Sequence, residues 1–246
     1  MYLEKQSKAS NDNTADSDIA QFQRVDGKEL LSSAENFPFR IVHALDVEDL
    51  SLVTQLRQKS YGRHLPEFGK YLATPEEDDF DPENIVLLIT AKLNDMPLAT
   101  MRIHTNKNKK PLPLEHTIAL PDSLRKSMLA EAVRFSVING AEGRLPRDAL
   151  FKAFYLTCSM LKIEWMVICA RKPLQKLYYG LTFEDIFPDN EPIPFPHIGD
   201  IPHRVLKVRV GDVEKNWNAM NHPLYNFFFE TRHPELDRLL EDLRLS

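Results

Sequence analysis

Arg102 stands inside Leu98-Ala-Thr-Met-Arg-Ile103, a run that otherwise reads as a buried strand. Glu131 and Arg134 interrupt a second such run, Glu131-Ala-Val-Arg-Phe-Ser-Val-Ile138. A carboxylate or guanidinium taken out of water must be paired and hydrogen-bonded. The acidic stretch Asp78-Asp-Phe-Asp81 directly precedes a third apolar run, Ile85-Val-Leu-Leu-Ile-Thr-Ala91. A mixed α/β domain with charges in and beside its strands therefore holds either a structural ion network or a site for a polar substrate.

The rest of the chain supplies the elements of such a domain. Residues 1–36 are polar, with little periodic hydrophobicity, and predict a mobile extension with at most a short helix near Lys28 to Ser33. Phe39-Arg-Ile-Val-His-Ala44 predicts a first strand, and Asp46 an N-cap for a helix through Leu50, Leu52, Val53 and Leu56. Arg57 and Tyr61 fall one helical turn apart on that helix. The polar stretch from Gly62 to Asp81 predicts a surface loop, a possible lid.

Leu93-Asn-Asp-Met-Pro97 suits the turn of an antiparallel hairpin between Ile85–Lys92 and Leu98–His104. A Lys- and Pro-rich loop leads to the strand Glu131 to Ile138. Asn139-Gly-Ala-Glu-Gly143 breaks that strand, and Pro146 suits the first turn of a helix running to about Leu161. Trp165-Met-Val-Ile-Cys169 predicts a short buried strand, Leu174 to Tyr179 a helix ended by Gly180, and Val205 to Val210 a half-exposed strand. His222 to Leu245 closes the chain with an amphipathic pattern broken at Pro234. The expected organisation is the extension 1–36, a catalytic-sized domain over 37–211, and a helical segment over 212–246 packed on it.

The formal net charge of -5 and pI near 5.9 argue against nucleic acid as a partner. Cys158 and Cys169 read as buried small hydrophobes, no metal-ligand spacing is present, and His197 and His203 flank a proline-rich loop without it. With no apolar signal segment and no run long enough to span a bilayer, the expected compartment is the cytoplasm.

Arg57 and Tyr61, then Asp78 and Asp81, then Arg102, then Glu131-Ala-Val-Arg134-Phe135 form an ordered set. In that order and spacing the chain resembles the acyl-homoserine lactone synthases and the long-chain N-acyl amino acid synthases, acyltransferases of the N-acetyltransferase (GNAT) superfamily. The resemblance covers roughly residues 40 to 185. It implies an α/β fold, a mixed and mostly antiparallel sheet with helices on both faces. It also implies transfer of a fatty acyl chain from an acyl-phosphopantetheine thioester, on acyl carrier protein or coenzyme A, to the amine of an amino-acid-like acceptor.

Under that resemblance Glu131 orients or deprotonates the amine, directly or through a water. Arg102 acts beside it, and Asp78, Asp81, Arg57, Tyr61, Arg134 and Phe135 bind substrate. From the residues alone, Glu131 is as well explained by a salt bridge to Arg134 or Arg102. Odd spacing puts Glu131 and Arg134 on opposite faces of a regular strand, so they meet only across a bulge. The tryptophan that the lactone synthases carry beyond the first helix is absent, with Phe68 the nearest aromatic, which favours an N-acyl amino acid over a lactone as product. Gly140, Gly143, Arg144 and Arg147 stand where acetyltransferases cradle a pyrophosphate, yet without that motif. They suit a single phosphopantetheine phosphate and hence acyl carrier protein as donor. Phe151, Phe154, Tyr155, Met160, Trp165 and Met166 would line the cleft or fill the core, and the tail would pack near the acyl tunnel, with peripheral membrane contact as the other option.

Overall fold

A computed structural model describes residues 33–189, 191–196 and 200–245. In chain order the elements are β1 (Ser33–Ala34), β2 (Phe39–His43), α1 (Val47–Gly62), α2 (Pro66–Tyr71), β3 (Ile85–Ala91), β4 (Pro97–Thr105), α3 (Asp122–Arg125) and β5 (Leu129–Val137). Then come α4 (Arg144–Met160), β6 (Trp165–Arg171), α5 (Gln175–Gly180), β7 (Glu184–Asp185), β8 (Ile193–Phe195), β9 (Ile201–Arg209), α6 (Val210–Ala219), β10 (Thr231–Arg232) and α7 (Pro234–Leu245). One sheet runs in the order β2-β3-β4-β5-β6-β9-β7, with β8 also paired to β9. β5 and β6 run parallel, whereas the other pairings of this sheet are antiparallel.

Period-two alternation splits each strand between two faces. Leu87, Ile89, Met101, Ile103 and Ile168 pack with α4, α6 and α7 in the main core. Val86 and Leu88 face the other way, onto Leu50 and Val53 of α1. Asp46 caps α1 as its sequence predicts, its carboxylate accepting from the Asp49 N–H at 2.8 Å. A third cluster places Leu112, Leu114, Leu120 and Leu124, from the segment after β4, over Leu129, Val167 and Val205.

Several expectations need correction. Residues 62–81 are not a loop: they hold α2 and a 3-10 turn over Glu77–Asp79. Gly69 sits so close to Gly62 that a Cβ there would lie 2.5 Å from the Gly62 Cα, so the α1–α2 corner closes backbone against backbone. The strand foreseen over Val205 to Val210 is β9, which starts earlier and gives way at Val210 to α6, a helix that begins just ahead of the helical segment expected over 212–246. Within His222 to Leu245 only α7 is α-helical, preceded by a π-turn over Asn226–Glu230. The extension over residues 1–32 and His197 lie outside the described residues, while Ser33 and Ala34 pair with β10.

Candidate active site

The parallel pair comes apart. β5 and β6 are in register only from Leu129 opposite Trp165 to Ala132 opposite Ile168, although β5 continues to Val137 and β6 to Arg171. A bulge in β5 marks the parting. Arg102 lies opposite Val133 and Thr100 opposite Ser136, so Arg134 and Phe135 together oppose Met101, and Arg134 takes a positive φ of 56°. Such a bulge bends its strand and re-aims side chains. The gap is a cleft of about 800 Å³ counting its open mouth, lined by Tyr61, Arg134, Phe135, Cys169, Arg171 and Tyr178 among others.

Beside the cleft, on the α1 face, three buried arginines converge on one acidic turn. Arg57 Nη1 donates to both Asp79 carboxylate oxygens at 2.9 and 2.7 Å. Arg102 Nη1 donates to Asp79 at 2.8 Å and to Glu76 at 3.0 Å, and its Nη2 to Asp78 at 3.1 Å. Arg134 clasps Glu76 through Nε at 2.7 Å and Nη2 at 2.6 Å. The turn itself is locked, since Asp79 accepts from the Glu76 N–H at 2.9 Å. Although burial pushes upward, its arginine partners hold the Asp79 carboxyl down at about 2, and Glu76 is lowered for the same reason. His104 accepts from Arg102 Nε at 2.9 Å and stays neutral, its pKa driven to about 3 by burial and by Arg102.

The expected pair Asp78 and Asp81 is thus displaced by two residues. Glu76 and Asp79, with the same spacing, carry the network; Asp78 contributes one half-buried contact to Arg102, and Asp81 pairs instead with Lys110 outside the cluster. In an acidic run without periodicity, only the 3-10 turn decides which carboxylates point inward.

Glu131 has no ion pair among the described residues, so neither the Arg134 nor the Arg102 salt bridge forms. Its carboxylate accepts from the Leu114 N–H at 2.9 Å, and Cys169 Sγ lies 3.9 Å away. Fully buried, it is pushed up to about 8, chiefly by loss of water, against the pull of the Leu114 N–H. Glu131 stands behind the cleft wall, and Cys169, expected as a buried small hydrophobe, packs on the third cluster but is only half-buried and lines the cleft. Its position in the wall follows from the parting of the strands one residue beyond Ile168.

The four residues expected to hold the donor phosphate sit at the β5–α4 junction. Gly140 adopts φ 89° and Gly143 is buried, where a Cβ would lie 2.2 Å from the Ile138 carbonyl oxygen. Arg144 is exposed, and Arg147 Nε donates to the neighbouring Asp148 at 2.8 Å. On the α4 face, a separate and narrow apolar pocket, about 310 Å³ counting its open mouth, is lined by Phe151, Phe154, Met166, Trp217 and Phe228. Phe151 stacks on Phe135 of the cleft at 5.1 Å and meets Tyr178 edge-on at 5.7 Å, so a wall of rings divides the two spaces. Of the expected aromatic and Met set, Trp165 goes instead to the cluster beneath α3.

With its parted parallel strands, bulged β5 and flanking helices, the fold is GNAT-like. The chain resembles FeeM, an N-acyl amino acid synthase from uncultured soil microbes, with a TM-score of 0.58 at 13% identity over 77% of this chain and 97% of that one. It also resembles BjaI, a coenzyme A-dependent acyl-homoserine lactone synthase with SAM and isopentyl-CoA, with a TM-score of 0.52 at 12% identity over 82% and 98%. No family model matches the sequence, and no curated protein matches it.

Proposed function

We infer that the protein is an N-acyltransferase, moving a fatty acyl chain from an acyl carrier protein thioester to the amine of an amino acid. The observation that carries this reading is a solvent-open cleft at the parted strands with a lone buried carboxylate, raised to about 8, one side chain behind its wall. Acyl transfer needs a neutral amine held against a thioester carbonyl, and a proton acceptor whose pKa lies near the working pH. The amine nitrogen attacks the carbonyl carbon, the C–S bond breaks, and the pantetheine thiolate leaves. Glu131 takes the amine proton, with a cleft water or the Cys169 thiol between them.

Tyr61, Arg134 and Phe135 face the acceptor, and Arg57 and Arg102, with Glu76 and Asp79, hold Arg134 and the bulge in place. The phosphopantetheine arm enters past Gly140, Gly143 and Arg144. That junction lacks a pyrophosphate turn, which supports acyl carrier protein over coenzyme A, and the acidic carrier would meet Arg144 and Lys172 at the mouth. The apolar pocket behind Phe151 suits the acyl chain, and residues 212–246, whose Trp217 and Phe228 wall it, act as part of the catalytic domain. Among the described residues no helix is long and apolar enough to cross a membrane, and a carrier-protein donor places the reaction in the cytoplasm.

A lactone-forming reaction is the second reading, favoured by the Glu76-x-x-Asp79 spacing on its arginines. Purified protein incubated with acyl carrier protein thioesters, the matching acyl-coenzyme A and an amine panel that includes SAM tests both. N-acyl amino acids by mass spectrometry, formed faster from the carrier protein and less so at high salt, support the first reading. Homoserine lactones support the second, and no acylated amine from any combination refutes the acyltransferase reading itself.

A further inference from the structure

The cleft is electropositive in a protein of net charge -5. Its described lining holds Arg134, Arg171, His64 and His203 and no aspartate or glutamate. Arg134 is spoken for by Glu76, which grips it at two points. Arg171 is different. It is half-buried at the last position of β6, and among the described residues it makes no ion pair and no hydrogen bond through its side chain. Its cross-strand partner on β9 is His203. That ring is held neutral by burial, with Nδ1 2.6 Å from the Ile201 carbonyl oxygen, so it offers no counter-charge.

A guanidinium on a cleft wall with no internal partner is a fork of donors awaiting a planar anion. Two anions enter such a cleft if the acyltransferase reading holds: the donor's phosphodiester and the acceptor's carboxylate. Alternation along β6 decides between them. Ala170 points to the α4 side with the main core, so Cys169 and Arg171 point to the opposite side, toward α1 and Tyr61. The junction proposed for the phosphopantetheine opens α4, the helix that packs on the other face of the sheet. Two residues along a strand span about 6.6 Å, a distance the arginine side chain bridges back toward Cys169 and Glu131. An anion one carbon from the attacking nitrogen therefore fits Arg171 while its amine rests near Cys169.

We propose that Arg171 is the residue that recognises the acceptor's carboxylate, so that the acceptors are α-amino acids rather than simple amines. This rests on the acyltransferase reading. The test takes the amino acid from the panel that turns over fastest, its amide and its decarboxylated amine, with wild-type protein, Arg171→Gln and Arg171→Lys.

Wild-type protein should prefer the acid. Arg171→Gln should raise the KM for the acid roughly 10- to 100-fold, as loss of a charge-assisted pair does, with little change in kcat or in donor KM. It should also abolish the preference for acid over amide, and Arg171→Lys should restore part of it. A rise in donor KM alone, larger with phosphopantetheine than with unphosphorylated pantetheine thioesters, overturns the proposal in favour of a phosphate contact. An unchanged preference in Arg171→Gln overturns it outright while leaving acyl transfer standing. No turnover by wild-type protein with any amine removes the acyltransferase reading and this proposal with it.

Discussion

Arg102 and Glu131 sit on neighbouring strands, face the same side of the sheet, and are equally shut off from water, yet they meet opposite fates. Arg102 is embedded in a lattice of three arginines and three acids in which charged groups find counter-charges within hydrogen-bond reach. Glu131 faces a backbone N–H and a thiol, neither of which offsets the cost of stripping water from a carboxylate. The first arrangement keeps its acids ionised and rigid, which suits architecture. The second leaves a proton loosely shared near neutral pH, which suits chemistry.

Removing the hub of the first region should have the largest effect. Asp79→Asn leaves Arg57 and Arg102 buried without the carboxylate they share, and should cost about 3–5 kcal/mol of stability by urea denaturation. A loss below about 1 kcal/mol would mean the lattice is not structural and that the contrast drawn above is false. Glu131→Gln should do the reverse. It should lower turnover about 10²- to 10⁴-fold, as loss of a general base does, while raising stability at pH 7, because above pH 4.5 the unfolded wild-type chain gains by ionising Glu131 and the glutamine chain does not. Near-normal turnover would reduce Glu131 to a structural acid.

The two regions also predict opposite pH dependences. A folded-state pKa raised from 4.5 to about 8 means that Glu131 binds a proton in the folded chain that the unfolded chain releases. Its contribution is fully present below pH 4.5 and is lost as pH rises to about 8, at about 1.4 kcal/mol per unit. Asp79, lowered from 3.8 to about 2, contributes stability present above pH 3.8 and lost as pH falls through about 2. Unfolding free energies of wild type and Glu131→Gln across pH 3 to 9 should therefore run parallel below about 4.5 and diverge from there to about 8, and curves that stay parallel across that interval would contradict the raised pKa. In the same window, the rate of acyl transfer should climb with pH through about 8. Cys169→Ala should have the smallest effect, a turnover loss within about tenfold. Without the thiol, which favours the ionised carboxylate, the pH–rate midpoint should move upward. A midpoint that stays put would show that thiol and acid are not coupled.

Much of this was legible from residue order. Charges inside apolar strands flagged Arg102, Glu131 and Arg134 because no core strand tolerates them unpaired, and the Asp46 cap and the β3–β4 hairpin follow from local chemistry. Tertiary placement hid the rest. Glu76 and Asp79 could not be told from Asp78 and Asp81 before a turn existed to sort them. Cys169 looks like its apolar neighbours in Trp165 to Ala170, and only the parting of two strands brings it to water. Arg171 sits at a strand end, where an arginine is unremarkable until the opposing wall is known to lack acids.

The tail bears on how the chain is made. Phe37 N–H and Lys92 are tied to Glu235, Lys152 of α4 is bonded to the carbonyls of Phe227 and Thr231, and Leu236, Leu239 and Leu243 complete the main core. The first strand of the sheet and the central helix thus wait for partners made long after them. A nascent chain halted before residue 230 has its arginine lattice in hand but an open core. Vectorial synthesis would therefore yield a half-built domain with exposed apolar surface until residues 234–245 emerge and close its core.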